Sequence, residues 1–256
     1  MSKPQFKADV DILTTADSGW RDPHACLWGI FHTTEDPEGK DPEVTARWQL
    51  DPANDSSYNV LFGHTGKTVR SNDDDYQPWS VGQPGNRLGF HGSAIGRARR
   101  TRKQWLDRPE QLESMARWAA DLHTRYGLPL RWLTVEEVRA QQVKGFTSHA
   151  VYWQALGRAR GMDVRTDPGD GFPHDVVLAR AAEIAGGGDT RMSSSSSSSD
   201  DGRLDLALDQ LAGHPWREFP GWPQLGGLTI VDALAAIGEK LGIPGFKDVR
   251  NAENDR

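Results

Sequence analysis

Short apolar runs, separated by polar stretches rich in Gly and Pro, occupy much of the first two thirds of the chain. Cys26-Leu-Trp-Gly-Ile-Phe31 is apolar throughout and ends at His32. A run this short, with aromatic and β-branched members, predicts a buried strand. Ser57-Tyr-Asn-Val-Leu-Phe62 predicts a second strand, stopped by Gly63, and Gly66-Lys-Thr-Val-Arg70 can return beside it as a hairpin partner. Residues 71–88 are dense in Asp, Pro, Gly and Asn and predict a long loop. Beyond them the period changes. Leu112, Met115, Ala119, Leu122 and Tyr126 repeat at helical spacing, with Asp107 placed to cap the helix, Pro109 in its first turn and Gly127 at its end. Thr134 and Glu137 have the spacing of a capping box and predict a helix over Leu133–Gln142. A third helix follows Phe172-Pro173 through Val176–Ile184. Strands interleaved with helices predict an α/β domain.

One stretch divides the chain. Residues 186–202 read GGGDTRMSSSSSSSDDG, a composition that buries too little surface to order itself and predicts a flexible linker. The expected domains are therefore 1–185 and a small module of residues 203–256. In that module Thr229 is placed to cap a helix with Asp232 at the reciprocal position. Ile230, Leu234, Ile237 and Leu241 give the helix one apolar face, and Gly242 ends it. With the Trp- and Phe-rich connector His214–Trp222, this predicts a small helical C-terminal module with a very small core.

Composition narrows the function classes. The 256 residues carry a formal charge of −6, which argues against nucleic acid as a partner. The single cysteine, Cys26, excludes an internal disulfide framework and fits synthesis in a reducing cytoplasm. The N-terminal residues show no hydrophobic signal-peptide core, and no apolar run approaches the roughly 18–20 residues of a membrane span. Ten Trp can serve either the core or stacking on sugar rings. The basic cluster Arg97, Arg99, Arg100, Arg102 and Lys103, beside Trp105, reads either as a solvated loop or as a contact for anionic wall polymers.

Of eight His, two stand out. His32 ends a predicted strand, where an imidazole can be held rigidly at a cleft. His149 follows Gly145-Phe-Thr-Ser and precedes an apolar stretch. In Asp167-Pro-Gly-Asp-Gly-Phe-Pro173 a forced turn directly after the acid fixes its carboxylate. Two His and one carboxylate, with a fourth position for water, make a catalytic zinc shell. His123, inside an amphipathic helix, is expected to be structural, and Glu35 is placed either as a solvated acid or as a proton acceptor.

The segments IFHTTE, SSYNVLFG, GFTSHA and DPGDGFP, in this order, resemble the N-acetylmuramoyl-L-alanine amidase family, which includes amidase-type phage lysozymes and peptidoglycan recognition proteins. The resemblance spans about residues 20–185. It implies a mixed central β-sheet flanked by helices, Zn2+ held by His32, His149 and Asp167, and Tyr58 and Arg165 as catalytic residues. It also implies peptidoglycan as substrate and a monomeric endolysin of actinobacteriophage type. Such a lysin waits in the host cytoplasm, released by a holin-like partner and without membrane insertion. A protein of this fold that binds peptidoglycan without cleaving it is the alternative. The chain departs from the family in two places. The stretch between His149 and Asp167 is long, with Tyr152–Arg160 as an extra turn or lid, and Gly89–Arg100 lacks the acid some members carry on a central strand.

Overall fold

The computed structural model describes residues 5–186 and 230–241. The chain divides into two units, Met1–Thr190 and Arg191–Arg256. The described residues of the first contain eight strands: β1 (Val10–Asp11), β2 (Asp17–Trp20), β3 (Trp28–Thr33), β4 (Val60–Phe62), β5 (Thr68–Arg70), β6 (Tyr76–Pro78), β7 (Gly89–Ala94) and β8 (Gly145–Ser148). Six of them form one mixed sheet in the order β1-β5-β4-β7-β3-β8, while β2 and β6 pair as a separate ribbon. Strands β4, β7, β3 and β8 run parallel, and β5 turns back against β4 as the expected hairpin, Leu61 opposite Val69.

Among the described residues of this unit seven α-helices accompany these strands: α1 (Pro42–Trp48), α2 (Gly85–Leu88), α3 (Arg102–Leu106), α4 (Pro109–Tyr126), α5 (Val135–Ala140), α6 (His149–Tyr152) and α7 (His174–Gly186). The capping box of Thr134 and Glu137 opens α5, and Gly127 closes α4 in the left-handed conformation. Asp107 does not cap α4. It ends α3, a helix opened by its own capping box of Thr101 and Gln104, and Arg108 precedes Pro109 without a side-chain cap. The Asp-, Gly- and Pro-rich 71–88 segment, expected as a loop, holds β6 and α2. The second strand starts at Val60 rather than Ser57, whose amide and hydroxyl are engaged by Trp79 and Ala16.

Successive strand residues face opposite sides of the sheet. In β3, fully buried along its length, Trp28, Ile30 and His32 share one face and Gly29, Phe31 and Thr33 the other. The second face packs on α4 through rings: Phe31, Phe62 and Phe146 meet Trp118 edge-on. Glycine makes the room, since a Cβ on Gly29 would lie 2.4 Å from the Phe146 ring and one on Gly92 2.9 Å from Trp118. On the first face α1 covers β4 and β5 through Ala46, Leu61 and Val69. At the opposite end Tyr152, Leu156 and Val138 pack on Trp28 and Ile30. His32 lies between these two clusters.

Three residues of the basic cluster are ion-paired. Arg100 is buried, paired with Glu38, bonded to Gln111 and stacked on Trp105, while Arg102 pairs with Asp175 and Lys103 with Asp107. Arg102 and Lys103 are exposed, as the solvated reading expects, and Arg100 departs from it by being buried.

In the second unit α8 (Ile230–Lys240) falls where a helix is expected, with Leu234, Ile237 and Leu241 exposed. Its proposed cap Thr229, the connector 214–222 and residues 187–202 lie outside the described residues. No described helix is long and apolar enough to cross a membrane. Trp118→Ala should cost about 3–5 kcal/mol in urea denaturation because it empties the ring cluster. Arg102→Ala, which breaks an exposed ion pair, should cost under about 1 kcal/mol in the same assay.

Candidate metal centre

Three neighbouring elements deliver the three predicted ligands. His32 is the fifth residue of β3. The adjacent parallel strand β8 ends at Ser148, whose hydroxyl caps α6, so His149 is the first residue of that helix. Asp167 comes from the loop before α7, and its carbonyl accepts the Ala150 amide at 2.9 Å, which ties the loop to the first turn of α6. The glycines of Asp167-Pro-Gly-Asp-Gly let the loop lie against backbone. Gly169 has φ +93°, and a Cβ there would fall 1.8 Å from the Ala98 carbonyl. Phe172 anchors the far end of the loop in the aromatic cluster with Phe31 and Trp105.

The Asp167 carboxylate faces both imidazoles. Oδ2 lies 3.2 Å from His32 Nδ1 and Oδ1 lies 3.2 Å from His149 Nδ1. All three ligand atoms fall within 4.8 Å of one another. Donor atoms about 2.0–2.1 Å from a tetrahedral zinc sit about 3.3 Å apart, so both separations fit a shared ion. The donor set fits too: two imidazoles and a carboxylate are competent without further chemistry. Among the described residues this is the one His/Cys/Asp/Glu group so arranged. All three residues are buried. Burial pushes the His32 pKa down to about 4, against the pull of Asp167. Burial also works to raise the Asp167 carboxyl, but the two imidazoles overcome it and hold the group well below the usual carboxylate range.

Tyr58 lies beside the cluster, its ring 5.1 Å from that of His32. Burial first and the Asp167 charge second push its hydroxyl up to about 12, so it stays protonated at neutral pH. Arg165 is exposed, and its positive charge reaches both Tyr58 and His32. Glu35 is exposed, as the solvated-acid reading expects, and its carboxylate accepts from the Thr33 hydroxyl and the Ala98 amide. His123 is structural as expected, bonded to the Leu128 carbonyl.

Sequence reasoning missed His91. It sits on β7, two residues before Ser93, the register partner of His32, and its ring is on the same face of the sheet. Its Nδ1 is 3.1 Å from His32 Nε2, and its Nε2 is 3.2 Å from the Gly85 carbonyl. Fully buried, it is driven well below the usual histidine range first by burial, then by His32. The signal was alternation: a histidine two residues from the position opposite His32 must share its face.

Comparison with known proteins places this architecture. Staphylococcus aureus hydrolase AmiA, solved in complex with its ligand, is 13% identical, with 71% of this chain and 87% of that chain covered and a TM-score of 0.50. The N-terminal unit has the amidase fold. An AmpD derivative (17% identity, 68% and 94% covered, TM-score 0.49) and the endolysin N-acetylmuramoyl-L-alanine amidase LysCS of Clostridium intestinale (14%, 71% and 99%, 0.45) are also similar. Residues 205–245 match the family described as the Rv3766 C-terminal domain. No curated protein sequence matches the chain.

In this amidase fold the long stretch after His149 is helical, the extra turn that the sequence suggested. From α6 it continues through a π-helical turn, Trp153–Gly157, to Arg160. It is stapled to the 82–85 segment by the Tyr152 hydroxyl, which accepts the Gly85 amide at 3.0 Å, and by Arg160 on the Gln83 carbonyl. Tyr152→Phe should therefore cost about 1–3 kcal/mol in chemical denaturation, because the buried Gly85 N–H loses its acceptor.

Proposed function

We propose that the protein is a zinc-dependent N-acetylmuramoyl-L-alanine amidase, cleaving the amide between the lactyl group of N-acetylmuramic acid and L-alanine in peptidoglycan. The convergence of His32, His149 and Asp167 on one point, in an amidase fold, carries this reading. These three residues would hold the zinc. Bound there, zinc would supply Lewis-acid chemistry and lower the pKa of water from near 16 toward about 7.

The chain's own groups account for the rest. Asp167 offers a carboxylate kept ionised by its imidazole neighbours, and His32, driven toward its neutral form by burial, offers a lone pair. Tyr58 is a hydrogen-bond donor at neutral pH beside the ligands, and it would donate to the amide oxygen as that atom gains charge. Arg165 adds a positive charge on the same side, which favours that developing negative charge. The competence of all three ligand types favours an enzyme over a protein that only binds peptidoglycan.

The same reading extends to the chain's organisation. The Gly/Ser-rich stretch 186–202 would tether residues 203–256 as a wall-binding module, raising local enzyme concentration on an insoluble substrate. A role in host lysis as a phage endolysin, monomeric and given access to the wall by a holin-type partner, completes it.

Incubation with purified cell wall and zinc should release new L-alanine amino termini and leave the bonds within the stem peptide intact. His149→Ala should abolish release, and Tyr58→Phe should lower it about 10²–10³-fold. Stem-peptide cleavage by the wild type, detected by mass spectrometry of the products, removes the amidase assignment; zinc-independent wall binding without cleavage leaves only the binding protein.

A further inference from the structure

The contacts of His91 fix where the protons of the cluster lie. A carbonyl oxygen only accepts hydrogen bonds, so the 3.2 Å contact with Gly85 needs the proton of His91 on Nε2. A neutral imidazole carries one N–H, which leaves His91 Nδ1 as an acceptor. Its 3.1 Å contact with His32 Nε2 must then be donated by His32. With its proton on Nε2, His32 keeps the lone pair on Nδ1, and that atom faces the Asp167 carboxylate at 3.2 Å. Two electron-rich atoms at this separation need a cation between them, a metal ion or a second proton on His32.

Several neighbours exist to hold that proton order. A Cβ on Gly89 would lie 2.9 Å from the Gly85 carbonyl and 3.0 Å from His91 Nε2, so glycine there lets the two meet. A Cβ on Gly85 would strike Val81 and the Tyr152 ring, at 2.3 and 2.7 Å. The Tyr152 hydroxyl binds the Gly85 amide, and Asn59 clamps the His91 backbone, donating to its carbonyl and accepting from its amide.

We infer that His91 is a positioning residue, which accepts the Nε2 proton of His32, takes its own orientation from the Gly85 carbonyl, and so presents His32 Nδ1 to the metal. The inference rests on the zinc reading above and deepens it. Outer partners of metal-bound histidines fix tautomer and ring orientation, and their loss typically costs about 10–100-fold in metal affinity.

Two measurements test it. In zinc-loaded protein with 15N-labelled histidine, NMR should show His32 protonated at Nε2 and metal-bound through Nδ1, with His91 protonated at Nε2; His32 bound through Nε2, or His91 protonated at Nδ1, overturns the inference. In competition with a chelator, His91→Phe should bind zinc about 10–100-fold more weakly than wild type. His91→Asn, whose amide oxygen replaces Nδ1 as acceptor, should recover most of the loss. Should His91→Phe fail to fold, the wild-type NMR decides alone. A wild type that takes up zinc and cleaves wall amides, beside an equally tight His91→Phe, overturns this inference and leaves the function standing. A wild type that takes up no zinc overturns both.

Discussion

A buried carboxylate pointed at two imidazole nitrogens constrains everything else in the site. Taking a carboxylate out of water costs several kcal/mol unless positive charge or hydrogen bonds answer it. A cation shared with His32 and His149 would answer Asp167, and the two histidines are held at neighbouring parallel strand ends that the sheet itself brings together. The turn that delivers Asp167 is held in turn by the Ala150 amide, by glycines pressed on backbone, and by Phe172 in the aromatic core. The sheet's opposite face, packed ring on ring against α4, makes this side rigid enough to set such distances.

From that centre the polar contacts run in a closed circuit. Asp167 meets His32, His32 meets His91, His91 meets the Gly85 carbonyl, and the Gly85 amide meets Tyr152. Tyr152 lies three residues after His149 on the same short helix, and His149 returns to Asp167. The helical segment after His149 therefore serves two ends at once. Its apolar side closes the core over Trp28 and Ile30, and its tyrosine holds the loop that orients His91.

The patterned parts of this structure were readable from residue order. The apolar run before His32, the β4–β5 hairpin, the Thr134 capping box and the Gly127 stop all follow from local chemistry, and the four motifs of the family brought His32, His149 and Asp167 together. What escaped depends on distant partners. Nothing local distinguishes Arg100, which reads as one of a basic run until Glu38 and Trp105 surround it. Asp107 looks like a cap for the helix after it, yet the Thr101 box starts another helix that ends there. His91 hides in a Gly-rich strand, because its meaning comes from register with β3 and from a carbonyl six residues back.

The central claim is a shared ion held by two imidazoles and one carboxylate. X-ray absorption at the zinc edge of the purified, zinc-loaded protein measures that shell directly. The account predicts four light ligands at about 2.0–2.1 Å with the outer-shell scattering of two imidazole rings. A shell without imidazole scattering, or one of six oxygens, would contradict it.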